Sequence, residues 1–85
     1  MKKYQAHIDV MPREELLDPQ GKVVVTGLAR LGISEVKQAR VGKHLRLIIE
    51  ADSEENARAQ VEEACRKLLA NPVMEDYAIT LHESA

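Results

Sequence analysis

Leu45, Leu47, Ile49 and Ala51 alternate with Arg46, Ile48 and Glu50, which puts an apolar row on one side of an extended strand. Ala39 and Val41 alternate on the way in, and Gly42 between them and this strand can take the positive φ of a tight turn. Residues 35 to 51 therefore predict an antiparallel hairpin with an edge strand at 36–41. Earlier in the chain, Tyr4, Ala6, Ile8 and Val10 alternate with Gln5, His7 and Asp9 and predict a half-buried strand ended by Pro12. Tyr77, Ile79 and Leu81 predict the last strand.

Two helical patterns lie between these strands. Asp18-Pro19-Gln20-Gly21 opens the first: the Asp18 carboxylate can accept from free N–H groups of the first turn, and Pro19 lacks the N–H that would be unpaired there. Val24, Leu28 and Leu31 recur at helical spacing, and Gly32 supplies a left-handed cap, so this helix is expected from Pro19 to Leu31. Gly21 and Gly27 lower its propensity by roughly 1 kcal/mol each, which implies close approach somewhere along it. The second helix opens at Asp52 or Ser53, buries Ala57, Val61, Ala64, Cys65 and Leu68, and stops at Asn71-Pro72. Glu54 with Arg58, Glu62 with Arg66 and Glu63 with Lys67 form four-residue pairs on its solvated face.

The resulting order, strand-helix-strand-strand-helix-strand, predicts an α+β fold: a ferredoxin-like βαββαβ two-layer sandwich, with an antiparallel sheet and two helices on one face. Right-handed crossovers would place strands one and three in the middle. The 85 residues allow one domain, 1–85, with one core. The chain has no Phe or Trp and only two Tyr, so that core must be aliphatic, and stacking platforms for bases are scarce.

Twelve Lys and Arg against fourteen Asp and Glu give a formal charge of −2, too balanced for electrostatic capture of nucleic acid or an anionic membrane. RNA-recognition modules share the topology but stack bases on central-strand aromatics, whereas Gln5, His7, Asp9, Arg46, Ile48 and Glu50 occupy those positions here. The lone Cys65 has no partner for a disulfide or a metal, and no signal-peptide core or membrane-length apolar run is present, so a reducing cytosol is the expected location.

Candidate chemistry is sparse. His7, His44 and His82 share the sheet face away from the helices, but the expected strand offsets would separate them by several residues, too far for a shared metal. Cys65 reads as a small core residue with no histidine to activate it. The groups Glu14-Glu15, Asp52-Glu54-Glu55 and Glu75-Asp76 fall in loops or first helical turns, where acidic residues favour the helix dipole or a turn, and a two-layer domain this small offers little depth for a catalytic pocket. No catalytic residue, bound cofactor or metal ligand is therefore expected in this chain. Its open sheet face and edge strand point to a small interaction domain that associates with other subunits.

Four stretches resemble the PurS family, the small subunit of phosphoribosylformylglycinamidine synthase: Leu17-Asp18-Pro19-Gln20-Gly21, Leu31-Gly32 followed by Glu35-Val36, Arg40-Val41-Gly42-Lys43, and Lys67-Leu68-Leu69-Ala70-Asn71-Pro72-Val73 followed by Glu75-Asp76-Tyr77. The resemblance spans nearly the whole chain. It implies a non-catalytic subunit of a glutamine-dependent carbon–nitrogen ligase of purine biosynthesis, self-associating as a dimer or tetramer. It also implies that the subunit bridges a glutaminase subunit and a large synthetase subunit so that ammonia passes between them. Glutamine, ATP and magnesium would be used by those other subunits. The family motifs would then mark partner contacts at Asp18, Gln20, Gly21, Arg40, Gly42, Lys43, Asn71 and Pro72. Asp18, Pro19, Gly42 and Pro72 also read simply as caps and turns, and Arg40 and Lys43 are expected to matter less to the fold.

Two other functional classes compete with that reading. A stand-alone dimeric ligand-sensing domain would bind an effector at the loops after strand one and helix one. A small phosphatase would need a Gly-rich phosphate loop with an Arg, which residues 11 to 21 do not supply.

Overall fold

A computed structural model describes residues 1–84. Three strands form one antiparallel sheet: β1 (Lys2–Pro12) lies at its centre, with β2 (Lys43–Ala51) on one side and β3 (Glu75–Ser84) on the other. Tyr4 pairs with Ile49 and Glu83, and Ile8 with Leu45 and Ile79, so the apolar rows predicted from alternation share one face. That face carries Tyr4, Ala6, Ile8, Val10 and Leu81, all buried, with Leu45, Leu47, Ile49, Tyr77 and Ile79 around them.

Helix α2 (Glu54–Ala64) covers this face through Ala57 and Val61. Ser53 caps it, its hydroxyl accepting from Asn56 N–H at 3.1 Å. The helix then widens into a π-helical turn, Cys65–Leu69, closed by the Ala70 N–H donating to the Cys65 carbonyl at 3.0 Å. The wider turn advances the packing face by about one residue. Leu69 therefore meets the core, while Leu68, expected on the buried stripe, is 81% exposed. Of the three charge pairs expected on the helix, Glu63 and Lys67 form an ion pair, at 2.6 Å.

Helix α1 (Pro19–Arg30) stands away from the sheet instead of joining α2 over it. Gly21 is its one buried residue, and Val24 and Leu31, expected to face the core, lie exposed. The chain is accordingly elongated, 51 × 29 × 14 Å, with a radius of gyration of 16.6 Å. A compact domain of this length would have about 12 Å.

The α+β class, the antiparallel sheet and the two helices are as expected, but the strand expected at 36–41 is not in the sheet. Residues 33–42 run without a cross-strand partner, which leaves β2 at the sheet edge and not in its middle. The cause lies in their polar groups: the Val41 N–H and the Arg40 side chain are engaged by the loop after β1, which draws the segment away from β2. Gly42 does not take positive φ either; Gly32, at φ 89°, is the described residue that does. What Gly42 provides is room, because a Cβ there would collide with the Val10 carbonyl oxygen and the Met11 sulfur.

Candidate partner-contact site

One end of the molecule gathers most of the residues singled out from the sequence. The loop after β1 (residues 13–18), the start of α1, residues 37–42 and the corner at Asn71-Pro72 meet there, held together by side chains bonded to backbone. The Asp18 carboxylate accepts from the Gly21 N–H at 3.1 Å, capping α1, and from the Val41 N–H at 2.8 Å. These two bonds hold its pKa below the ordinary carboxylate value, with Arg40 adding a smaller effect.

Arg40 donates to the Leu16 carbonyl and to the Arg13 carbonyl, both at 2.8 Å. Arg13 in turn donates to the Pro72 carbonyl at 2.8 Å, and its own N–H meets the Met74 carbonyl at 3.0 Å. Asn71 organises the corner: its side-chain oxygen accepts from the N–H groups of Val73 and Met74, while its own N–H donates to Glu75. Gly21 lets α1 approach the segment ahead of β2, because a Cβ there would run into the Ala39 carbonyl oxygen.

Two concavities flank this knot. One, of about 390 Å³, lies between α1 and residues 37–40 and is lined by Leu16, Leu17, Asp18, Gly21, Val25 and Arg40 among others. The other, of about 410 Å³, brings Asp18, Gln20 and Asn71 together beside Leu17 and Met74. Both are open on one side, and Leu17 at their shared rim is 70% exposed.

Arg40 therefore acts as a tie of the fold, contrary to the expectation that it matters little there. Lys43, at the exposed start of β2, makes no such tie among the described residues. The residue missed from the sequence is Arg13, whose contact to Pro72 spans 59 positions and has no local signature.

The histidines also differ from expectation. Asp9 pairs directly with His44 and Gln5 with His82, so His7 lies diagonally beside both. The His7 ring is 5.4 Å from that of His44 and 5.5 Å from that of His82, centroid to centroid. Desolvation first, and then Arg46 and the two neighbouring histidines, lower the His7 pKa from its ordinary value. Cys65 is buried as expected, and desolvation followed by Glu62 raises its pKa.

Residues 5–83 match the family model for PurS, phosphoribosylformylglycinamidine (FGAM) synthase. The chain belongs to the PurS family. The PurS subunit of this synthase from Methanocaldococcus jannaschii is 36% identical over 94% of this chain and 96% of its own length. That of Bacillus subtilis is 40% identical over 94% of each chain. Among solved structures, Bacillus subtilis PurS superposes with a TM-score of 0.85 at 40% identity, covering 94% of this chain and 99% of its own. A chain from the structure of PurLQS from Thermotoga maritima gives 0.87 at 36% identity, covering 99% of this chain and all of its own. The elongated outline is thus shared with PurS chains solved both alone and in a complex.

Proposed function

We propose that this chain is the small, non-catalytic subunit of phosphoribosylformylglycinamidine synthase, and that it bridges a glutaminase subunit and an ATP-dependent synthetase subunit in purine biosynthesis. The observation that carries this reading is the end-to-end match to PurS chains, one of them from a structure described as PurLQS. The shape supports it physically. An 85-residue chain that extends α1 away from its own core leaves Val23 and Leu31 at 71% and 77% exposure, surface that association with another chain would cover.

In this reading the knot of Asp18, Arg40, Asn71 and Pro72 presents a rigid end to a partner. Gln20 and Lys43 provide unengaged polar groups at its rim, and Gly21 and Gly42 hold the backbone in place beneath it. The chain self-associates, and the sheet and α1 are the surfaces available for that. Glutamine, ATP and magnesium are handled by the partner subunits. This subunit holds them together so that ammonia released at one site reaches the other.

The test is synthesis of formylglycinamidine ribonucleotide by purified glutaminase and synthetase subunits, with and without this chain, using glutamine or free ammonia as nitrogen source. A requirement for the chain with glutamine and none with ammonia is the expected outcome. Equal rates with and without it under both conditions would sink the proposal.

One observation favours a second reading. The cavity between α1 and residues 37–40 lies at the loops where a ligand-sensing domain would hold an effector. A melting-temperature shift of the isolated chain with an amino acid or nucleotide, abolished by filling that cavity with Val25→Trp, would support it.

A further inference from the structure

The polar face of the sheet carries an arrangement of histidines to which the PurS reading assigns no chemistry. His7 Nδ1 and His44 Nε2 are 3.2 Å apart, and His44 Nδ1 donates to Asp9 Oδ1 at 2.6 Å. His82 stacks on the other side of His7 at a ring tilt of 22°, with its Nε2 on Gln5 Oε1 at 2.9 Å. All five side chains stand on adjacent strands of one sheet, with β1 at the centre, so their spacing is set by the ladder rather than by a loop.

We propose that His7 and His44 form a two-imidazole site for a divalent transition-metal cation of the zinc, nickel and copper class. Imidazole nitrogens suit these ions, with bonds of about 2.0–2.1 Å. Two nitrogens 3.2 Å apart can both reach one ion at that bond length, subtending an angle of about 100°, close to tetrahedral.

Proton placement is consistent with this. The Asp9 carboxylate holds the proton on His44 Nδ1, which leaves the Nε2 lone pair facing His7; a carboxylate behind a ligating histidine does the same at many metal sites. Without metal, His7 Nδ1–H donates to that lone pair. When the ion binds, the neutral His7 ring carries its proton on Nε2 and offers Nδ1, and both rings tilt off the line between the two nitrogens so that their lone pairs converge on the ion.

Among the described residues no group of three His, Cys, Asp or Glu is placed to hold a metal, so the site supplies two protein ligands and leaves the other positions to water. Arg46, opposite His7 on β2, opposes a cation there, and Asp9 offsets it. His82 stacks against His7 outside the pair and serves as the internal control.

The test is calorimetric titration of Zn²⁺, and separately Ni²⁺, into the full chain without an affinity tag. Single-site binding with a Kd below about 100 μM is expected. His7→Gln and His44→Gln should each weaken it at least tenfold, and Asp9→Asn about tenfold, the lower end for a supporting carboxylate. His82→Gln should change it by less than threefold. Zn²⁺ should also move the ring ¹⁵N signals of His7 and His44 in the unaltered chain. No heat up to millimolar metal, or binding that survives the His7→Gln/His44→Gln double variant, would overturn the site.

Discussion

Asp18 and Val41, 23 positions apart, are joined by a 2.8 Å hydrogen bond from backbone N–H to carboxylate, and this bond ties the start of α1 to the segment that leads into β2. The same carboxylate caps α1 through Gly21. Its pKa is therefore lowered from 3.8, with the Val41 bond as the largest cause. A carboxylate whose folded pKa lies below its unfolded value adds stability in full above the unfolded value, and that contribution is lost as pH falls through the folded one. We expect the Asp18 carboxyl to titrate below 3.8 by carbon-detected NMR, with the Val41 and Gly21 amide shifts moving in step. In Asp18→Asn, which keeps one acceptor oxygen but loses the charge, the acid-dependent change of these amides should disappear.

Arg40 and Lys43 lie three residues apart in one motif but have different roles. Arg40→Ala removes two bonds to loop carbonyls and should cost about 1–3 kcal/mol. That is a fall in melting temperature of roughly 4–8 °C per kcal/mol for a domain of this size. Lys43→Ala should stay within about 0.5 kcal/mol of the unaltered chain. Lys43 is therefore the clean probe of partner contact. Loss of assembly in Lys43→Ala with an unchanged melting curve would place this end of the molecule at a subunit interface, and unimpaired assembly would remove Lys43 from it.

The two glycines of α1 separate in the same way. A Cβ at Gly21 meets the Ala39 carbonyl, whereas nothing lies within 4 Å of one at Gly27. Gly21→Ala should destabilise by about 1–3 kcal/mol through overpacking against backbone. Gly27→Ala should stabilise the isolated chain by roughly 0.5–1 kcal/mol through helix propensity. Thermal unfolding of the two variants side by side decides this: a fall in stability for Gly27→Ala would mean that its space is filled.

Much of this was legible in the sequence wherever the cause is local. Alternation gave the faces of β1, β2 and β3, and Asp18, Ser53 and Gly32 act as the caps their types suggest. What was not legible depends on partners far along the chain. Period-two alternation assigns a residue to a face but does not set the offset between strands, so the meeting of His7, His44 and His82 could not be read from spacing. The 36–41 segment alternates like a strand, yet Asp18 takes the Val41 N–H that a ladder would have used, and the Arg40 side chain ties the segment to the carbonyls of Leu16 and Arg13. The π-helical turn exchanges Leu68 for Leu69 without any Pro or Gly to announce it. The contact site was legible as motifs, and the structure adds Arg13 as the link between them.

The exposed apolar side chains of α1 allow the sharpest separation of fold from assembly. Val23 and Leu31 contribute little to the chain's own core, so Val23→Glu and Leu31→Lys should change the melting temperature of the dilute, isolated chain only slightly. If α1 is covered by another copy or by a partner subunit, each variant buries a charge in that interface and should weaken association by a factor of ten or more. Sedimentation velocity over a hundredfold range of concentration measures the first case, and co-elution with the glutaminase and synthetase subunits the second. Unchanged association in both experiments would mean that α1 projects into solvent, and the contacts would then have to come from the sheet and the loop end of the molecule.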